Sequence, residues 1–226
     1  MSTEADLHMM QLSDSMFPTG LFAASGGIET MFLKKKITTS RELREFLGAV
    51  ITRQLGPCEC VMLANVHRCQ GRDEIAELDS MCHSMRANKE VREASCRSGG
   101  QLARCVAGFV TSDTLDWYCS MIVSKKASGE YPVSFGVCCS AMGIKTERAL
   151  AMFLYGYLAS SVGAALRLGM IDHMEGQEVI HALKPLISET VSESLKKPAS
   201  EAWQFVPQAE IYQMVHEGTD AKMFIT

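Results

Sequence analysis

This chain lacks a basic surface. Its 22 Lys and Arg stand against 26 Asp and Glu, a net charge of −4. Phosphate backbones are bound by the opposite balance, so nucleic acid is excluded as a partner. No Gly-x-x-x-x-Gly-Lys-Ser/Thr loop occurs and no Gly-x-Gly-x-x-Gly follows a strand, which excludes the usual nucleotide cradles. Cys-x-x-Cys and His-Glu-x-x-His are both missing, so no familiar zinc pattern is present. Alternating apolar and polar runs are missing too. Val133 to Cys139 has strand propensity, but no partner strand is evident, and the class is all-α. No basic-then-apolar leader opens the sequence, so the protein is expected to be cytoplasmic.

What is present is helical period. The 226 residues, 47% of them hydrophobic and 21% charged, suit a single bundle of about nine or ten helices. Thr39 and Glu42 form a capping box, after which Leu43, Phe46, Leu47, Val50 and Ile51 share one face. Gly56-Pro57 is expected to end that helix and to open the next. Asp73 reads as the N-cap of a helix carrying Ile75, Leu78, Cys82 and Met85. Asn88 to Val110 is helical with a weak point at Gly99-Gly100, and Asp113 to Lys125 follows. Pro132 fits a first turn before Val133 to Met142, closed by Gly143. Ala149 to Leu166 carries no charge and approaches the length of a membrane span. It is rich in Ala, Ser and Gly and stands alone, so it reads as the central helix of a soluble bundle and no membrane is expected.

The chemistry-bearing residues form no recognisable site. Nine cysteines are odd in number and irregular in spacing, and read as reduced thiols. Cys58 and Cys60, near His67 and Cys69, point about 200° apart on one helix and cannot chelate an ion there. His8, His83, His173, His181 and His216 are scattered, so no catalytic residue, metal ligand or cofactor is assigned. Fifteen methionines read first as soft core filling and second as an adaptable contact surface. Ser188 to Ser200 is polar. Beyond it Trp203, Phe205, Ile211, Met214 and Phe224 carry apolar area that must bury on the bundle or against a partner. The expected division is a core over 1–200 and a partner-binding tail over 201–226.

The stretch "QLSDSMFPTGLFAASGGIE" is not a phosphate loop. Ser25 reads as a helix N-cap with Glu29 in the first turn, and Gly26 and Gly27 as an unusual turn. It resembles the N-terminal signature of the urease accessory protein UreF family. "ELDSMCHSMRANKEVREASCRSGGQL", "YPVSFGVCCSAMGI", "ASSVGAALRLGMIDHMEGQEVIHAL" and "PQAEIYQMVHE" are similar to further family segments in the same order, covering nearly the whole chain. The resemblance implies an all-α, dimeric protein without enzymatic activity. It implies a scaffold between the GTPase UreG and UreD (also called UreH) in the complex that loads nickel into apo-urease, with a C-terminal tail that orders on UreD. Its motif positions make Ser25, Gly26, Gly27, Glu29, Arg167, Gln177 and His216 partner-binding candidates, beside the apolar tail residues. The chain departs from the pattern at Ala24 and Glu130, where histidines are usual, at His173, where Gln is common, and in its Lys222-Met223-Phe224 ending. The alternative from another class is a cytosolic metallochaperone that carries nickel on its own Cys and His residues.

Overall fold

The computed structural model describes residues 3–14, 16–19, 25–218 and 222–224. They are mostly helical and contain no strand. The elements are α1 (Thr3–Ser13), α2 (Ile28–Leu33), α3 (Ser40–Val50), a π-helical segment (Ile51–Cys60), α4 (Val61–Val66), α5 (Arg72–Met85), α6 (Lys89–Ala107), α7 (Asp113–Val123), α8 (Tyr131–Ala141), α9 (Thr146–Arg167), α10 (His173–Ser194), a short 3-10 turn (Ala199–Glu201) and α11 (Pro207–Glu217). Because α3, the π segment and α4 run on as one rod, the described residues form ten helices.

Packing places α8 at the centre. Every residue from Pro132 to Cys139 is buried, against α6, α4 and α9. Such a helix is apolar all round because it has no solvent side. The sequence pointed to Ala149–Leu166 for that place. α9 is a core helix too: it packs on α10, α8, α2, α4, the π segment and α1 and buries Leu150, Leu154 and Leu158, but it exposes Tyr155 and Gly156. It is long and apolar enough to cross a membrane, and half of its most apolar window is buried within the chain.

α6 meets α8 across Gly99. A Cβ on Gly99 would run into the Gly129 carbonyl and the Tyr131 backbone. Gly99-Gly100 is therefore a close approach inside an unbroken helix, not a weak point. Gly56-Pro57 likewise does not stop its helix. Backbone angles stay right-handed from Val50 to Val61, and the rod widens into π turns around the proline. Proline has no N–H for the carbonyl four residues back, so Arg53 loses an α-helical partner. The Arg53 carbonyl instead accepts Phe205 N–H at 2.8 Å and the Pro57 carbonyl accepts Trp203 N–H at 3.1 Å. The Gly56 carbonyl takes the Ser194 hydroxyl at 2.9 Å. The proline thus converts a helix into a seam that chain from the C-terminus can join.

Smaller corrections have similar causes. Gly71 precedes α5, and Asp73 sits in its first turn, where a carboxylate favours the positive end of the dipole. The polar stretch that begins at Ser188 is helical in its first half, because α10 continues to Ser194 with Thr190, Val191 and Ser194 buried. The Thr39–Glu42 capping box is present. All nine cysteines are free thiols. Methionine serves both readings. Met31 and Met62 fill the core, whereas Met10, Met16, Met174, Met214 and Met223 are exposed.

Candidate functional site

Of the residues singled out from sequence, Gly26, Gly27, Glu29, Arg167, His216 and Phe224 come together where the tail meets the N-terminal turn. Gly26 and Gly27 take φ of +60° and +91°, a left-handed turn that side chains resist. The turn ends at α2, whose N-cap is Gly27 and not Ser25; Ser25 is buried and contributes its carbonyl to Ile28 N–H at 3.1 Å. A Cβ on Gly27 would stand 3.3 Å from Gln213 on α11, so the tail helix rests directly on this turn. Gln213 also donates to the Gly26 carbonyl at 3.3 Å. Ala24 lies outside the described residues.

Glu29 begins α2 and points under the tail. Its carboxylate accepts Met223 N–H at 2.7 Å and Phe224 N–H at 3.3 Å, and faces His216 Nε2 at 3.1 Å. His216 Nδ1 faces Glu90 of α6 at 3.0 Å, and Lys222 reaches Glu90 at 3.1 Å. A carboxylate oxygen thus stands at each ring nitrogen of His216. Burial pushes Glu90 up, but hydrogen bonds from His216 and Lys222 outweigh it and hold its carboxyl below the usual range. Phe224 lies under Arg167, with the guanidinium 4.6 Å from the ring centroid. His216 and Phe224 are thus spent on this dock, at 1% and 4% exposure. They do not face outward.

Trp203, Phe205, Ile211 and Met214 do face outward, exposed by 46, 64, 56 and 48%. Pro207 opens α11, and Ala209, Gln213 and His216 form its inner face; Ile211, Met214 and Val215 are left on the other. Gln177 is exposed on α10.

A second group of polar residues lies inside the bundle. Arg86, at the end of α5, donates to Glu59 of the π segment and to Glu130 ahead of α8, at 2.8 Å each. Glu130 is fully buried and also accepts the Ser95 hydroxyl. Its backbone N–H, with those of Ser128 and Gly129, goes to buried Asp79, which also takes the Tyr118 hydroxyl at 2.7 Å. Burial pushes Glu59 up, with Arg86 opposing. For Glu130 burial acts the same way, but Arg86, Ser95 and His83 outweigh it and its carboxyl lies low. His83 Nδ1 stands 2.9 Å from Glu130 Oε1, and Cys96 Sγ 3.4 Å from the same oxygen. Beside the Glu59–Arg86 pair opens a cavity of about 680 Å³, lined also by Leu12, Phe17, Tyr131, Phe153 and Tyr157. The cysteine pairs weighed from sequence are inert by comparison. Burial pushes Cys58 up to about 12 and holds Cys60, Cys138 and Cys139 well above the ordinary thiol.

Sequence reading missed this interior network and also Glu90 and Lys222 as partners of His216. One signal was there: Glu59 stands inside the apolar run "LGPCECVMLA", and a carboxylate in a buried helix needs a buried partner.

Comparison with known proteins fits the geometry. A family model described as UreF matches residues 37–184. The urease accessory protein UreF of Trichodesmium erythraeum (strain IMS101) is 31% identical over 221 residues, covering 96% of this chain and 95% of that protein. That of Corynebacterium glutamicum (strain R) is 29% identical over 226 residues and the full length of both chains. That of Bacillus sp. (strain TB-90) is 27% identical over 223 residues, 97% of this chain and 98% of its own.

Proposed function

Since the chain belongs to the UreF family of urease accessory proteins, we propose that it is a non-enzymatic cytoplasmic scaffold that bridges the GTPase UreG and UreD (UreH) while nickel is inserted into apo-urease. It acts as a homodimer. One observation carries the reading: the tail is anchored by its backbone and inner face, yet leaves Trp203, Phe205, Ile211 and Met214 exposed. Large apolar side chains held in a fixed array but left in water are what a protein–protein contact uses as anchors. Because the tail is already ordered, a partner meeting it there does not bear the full entropy of folding it. The segment 201–226 is then the part that UreD recognises, and the bundle of residues 1–200 its support. Nickel is cargo in this reading, and catalysis of nucleotide hydrolysis is left to UreG.

The test is co-purification of the full chain with UreD and UreG from the same genome. The wild type is expected to form the complex. A Trp203→Ser/Phe205→Ser/Ile211→Ser variant is expected to fold and to lose UreD. Retention of UreD at full affinity by that variant contradicts the assignment.

A further inference from the structure

We propose that His83, Cys96 and Glu130 form a binding site for one divalent transition-metal ion of borderline softness, such as zinc, cobalt or nickel. The inference goes beyond the scaffold reading and does not depend on any partner.

Three elements bring the ligands together: His83 from α5, Cys96 from α6 and Glu130 from the entry to α8. An ion held by nitrogen and oxygen at about 2.0–2.1 Å and by sulfur at about 2.3 Å, near tetrahedral angles, sets its ligand atoms about 3.3–3.6 Å apart. The observed separations are 3.4 Å from Cys96 Sγ to Glu130 Oε1, 3.6 Å from Cys96 Sγ to His83 Nδ1, and 2.9 Å from His83 Nδ1 to Glu130 Oε1. Two edges of the triangle already fit, and the third opens by a small rotation of the half-exposed imidazole.

The surroundings suit an ion. Glu130 Oε2 is fixed by Arg86 and Ser95, so Oε1 is aimed at the other two ligands. Among these groups the buried carboxylates Glu59, Asp79 and Glu130 outnumber the single buried guanidinium of Arg86. An ion of charge +2 that displaces one proton reduces that excess. Nitrogen, sulfur and oxygen together select borderline cations over calcium or magnesium, which take oxygen alone. His83, with its side chain 39% exposed, leaves a path from solvent and room for water as fourth ligand.

Proton balance follows from the hydrogen bonds. Without an ion, the His83 N–H and the Cys96 S–H both point at Glu130 Oε1. When the ion enters, His83 binds through Nδ1 and its ring proton moves to Nε2. Cys96 binds as thiolate and its proton leaves to solvent. One proton is released per ion.

The experiment titrates the reduced full chain with Co²⁺ and with Zn²⁺, following absorption and heat in two buffers of different ionisation enthalpy. One equivalent is expected, with a thiolate-to-cobalt charge-transfer band, tetrahedral d–d bands and about one proton released. Cys96→Ser is expected to lose the charge-transfer band, and His83→Ala to weaken binding about ten-fold or more. Cys69→Ser and Cys105→Ser are expected to behave as wild type. The His83 side chain is 39% exposed, so His83→Ala keeps the test open should Cys96→Ser fail to fold. No stoichiometric binding at micromolar metal, a charge-transfer band undiminished in Cys96→Ser, or unchanged affinity in His83→Ala overturns the proposal.

Discussion

Nε2 of His216 lies 3.1 Å from Oε2 of Glu29, both side chains nearly closed to water although 187 positions separate them. This pair fastens the end of the chain to its beginning. It also sets the cost of pulling them apart, because Glu29 would be left with only the two N–H groups of Met223 and Phe224.

His216→Ala is therefore expected to destabilise the protein by about 1–3 kcal/mol, the range for stranding a buried polar group. For a chain of this size that is a fall of roughly 2–10 °C in Tm. Differential scanning calorimetry checks it. A midpoint unchanged within 1 °C would show that the carboxylate finds water instead.

Gly27→Val strikes the same dock from the other side. At φ +91° a β-branched residue is strained, and its Cβ meets Gln213 and the Ala209 carbonyl. The expected loss is on the order of 1–3 kcal/mol, with protease sensitivity appearing after residue 200 before the bundle unfolds. Limited proteolysis read by mass spectrometry would show it. Uniform resistance along the tail contradicts the link between turn and α11.

Acid stability divides the two glutamates on Arg86. Glu130 is held below its ordinary value, so its contribution is present above about pH 4.5 and is lost as pH falls through the lower folded value. Glu59 is raised. Its contribution is full below the ordinary value and is lost as pH rises through the higher folded one. Glu130→Gln is expected to flatten the rise of stability with pH on the acid side, and Glu59→Gln to steepen it. Urea midpoints measured from pH 3 to 7 decide the matter, and equal slopes in the two variants would refute the division.

Much of the fold was legible in local pattern. The Thr39 box, the Leu43–Ile51 face and Pro132 in the first turn of α8 each depend on near neighbours, and each is where period and capping put it. The misreadings share a cause: their outcome is decided by distant chain. Gly56-Pro57 ends helices in isolation, but here Ser194, Trp203 and Phe205 satisfy the seam. α8 is shorter than α9 and is nonetheless the central helix, because α4, α6 and α9 surround it. At the candidate site the family segments pointed to Glu29, Arg167 and His216, and the apolar composition of the tail to Phe224; the structure joins these in pairs. What sequence could not show was direction. His216 and Phe224 face inward, and the His83–Cys96–Glu130 cluster spans residues 13 to 47 positions apart.

The tail itself separates stability from recognition. Truncation after Ser200 removes Val206, Ala209 and Phe224 from the core and takes His216 from Glu29. At about 1.5–3 kcal/mol for each large apolar side chain buried, that loss is comparable to the stability of an ordinary domain, so the truncated protein is expected to melt far below the intact one. A failure of truncated protein to bind UreD would then report unfolding as much as lost contact. Substitution on the outer face avoids this. Trp203, Phe205, Ile211 and Met214 are exposed by 46 to 64%, so Trp203→Ser, Phe205→Ser, Ile211→Ser and Met214→Ser each change stability by about 0.5 kcal/mol or less. As anchors in a contact, each would cost about 1–4 kcal/mol of binding, a five-fold to several-hundred-fold rise in Kd for UreD. The paired measurement is thermal unfolding and titration against UreD for each single variant. Unchanged Tm with weakened binding in at least two of the four is the expected outcome; unchanged binding in all four removes the tail's outer face as the recognition surface.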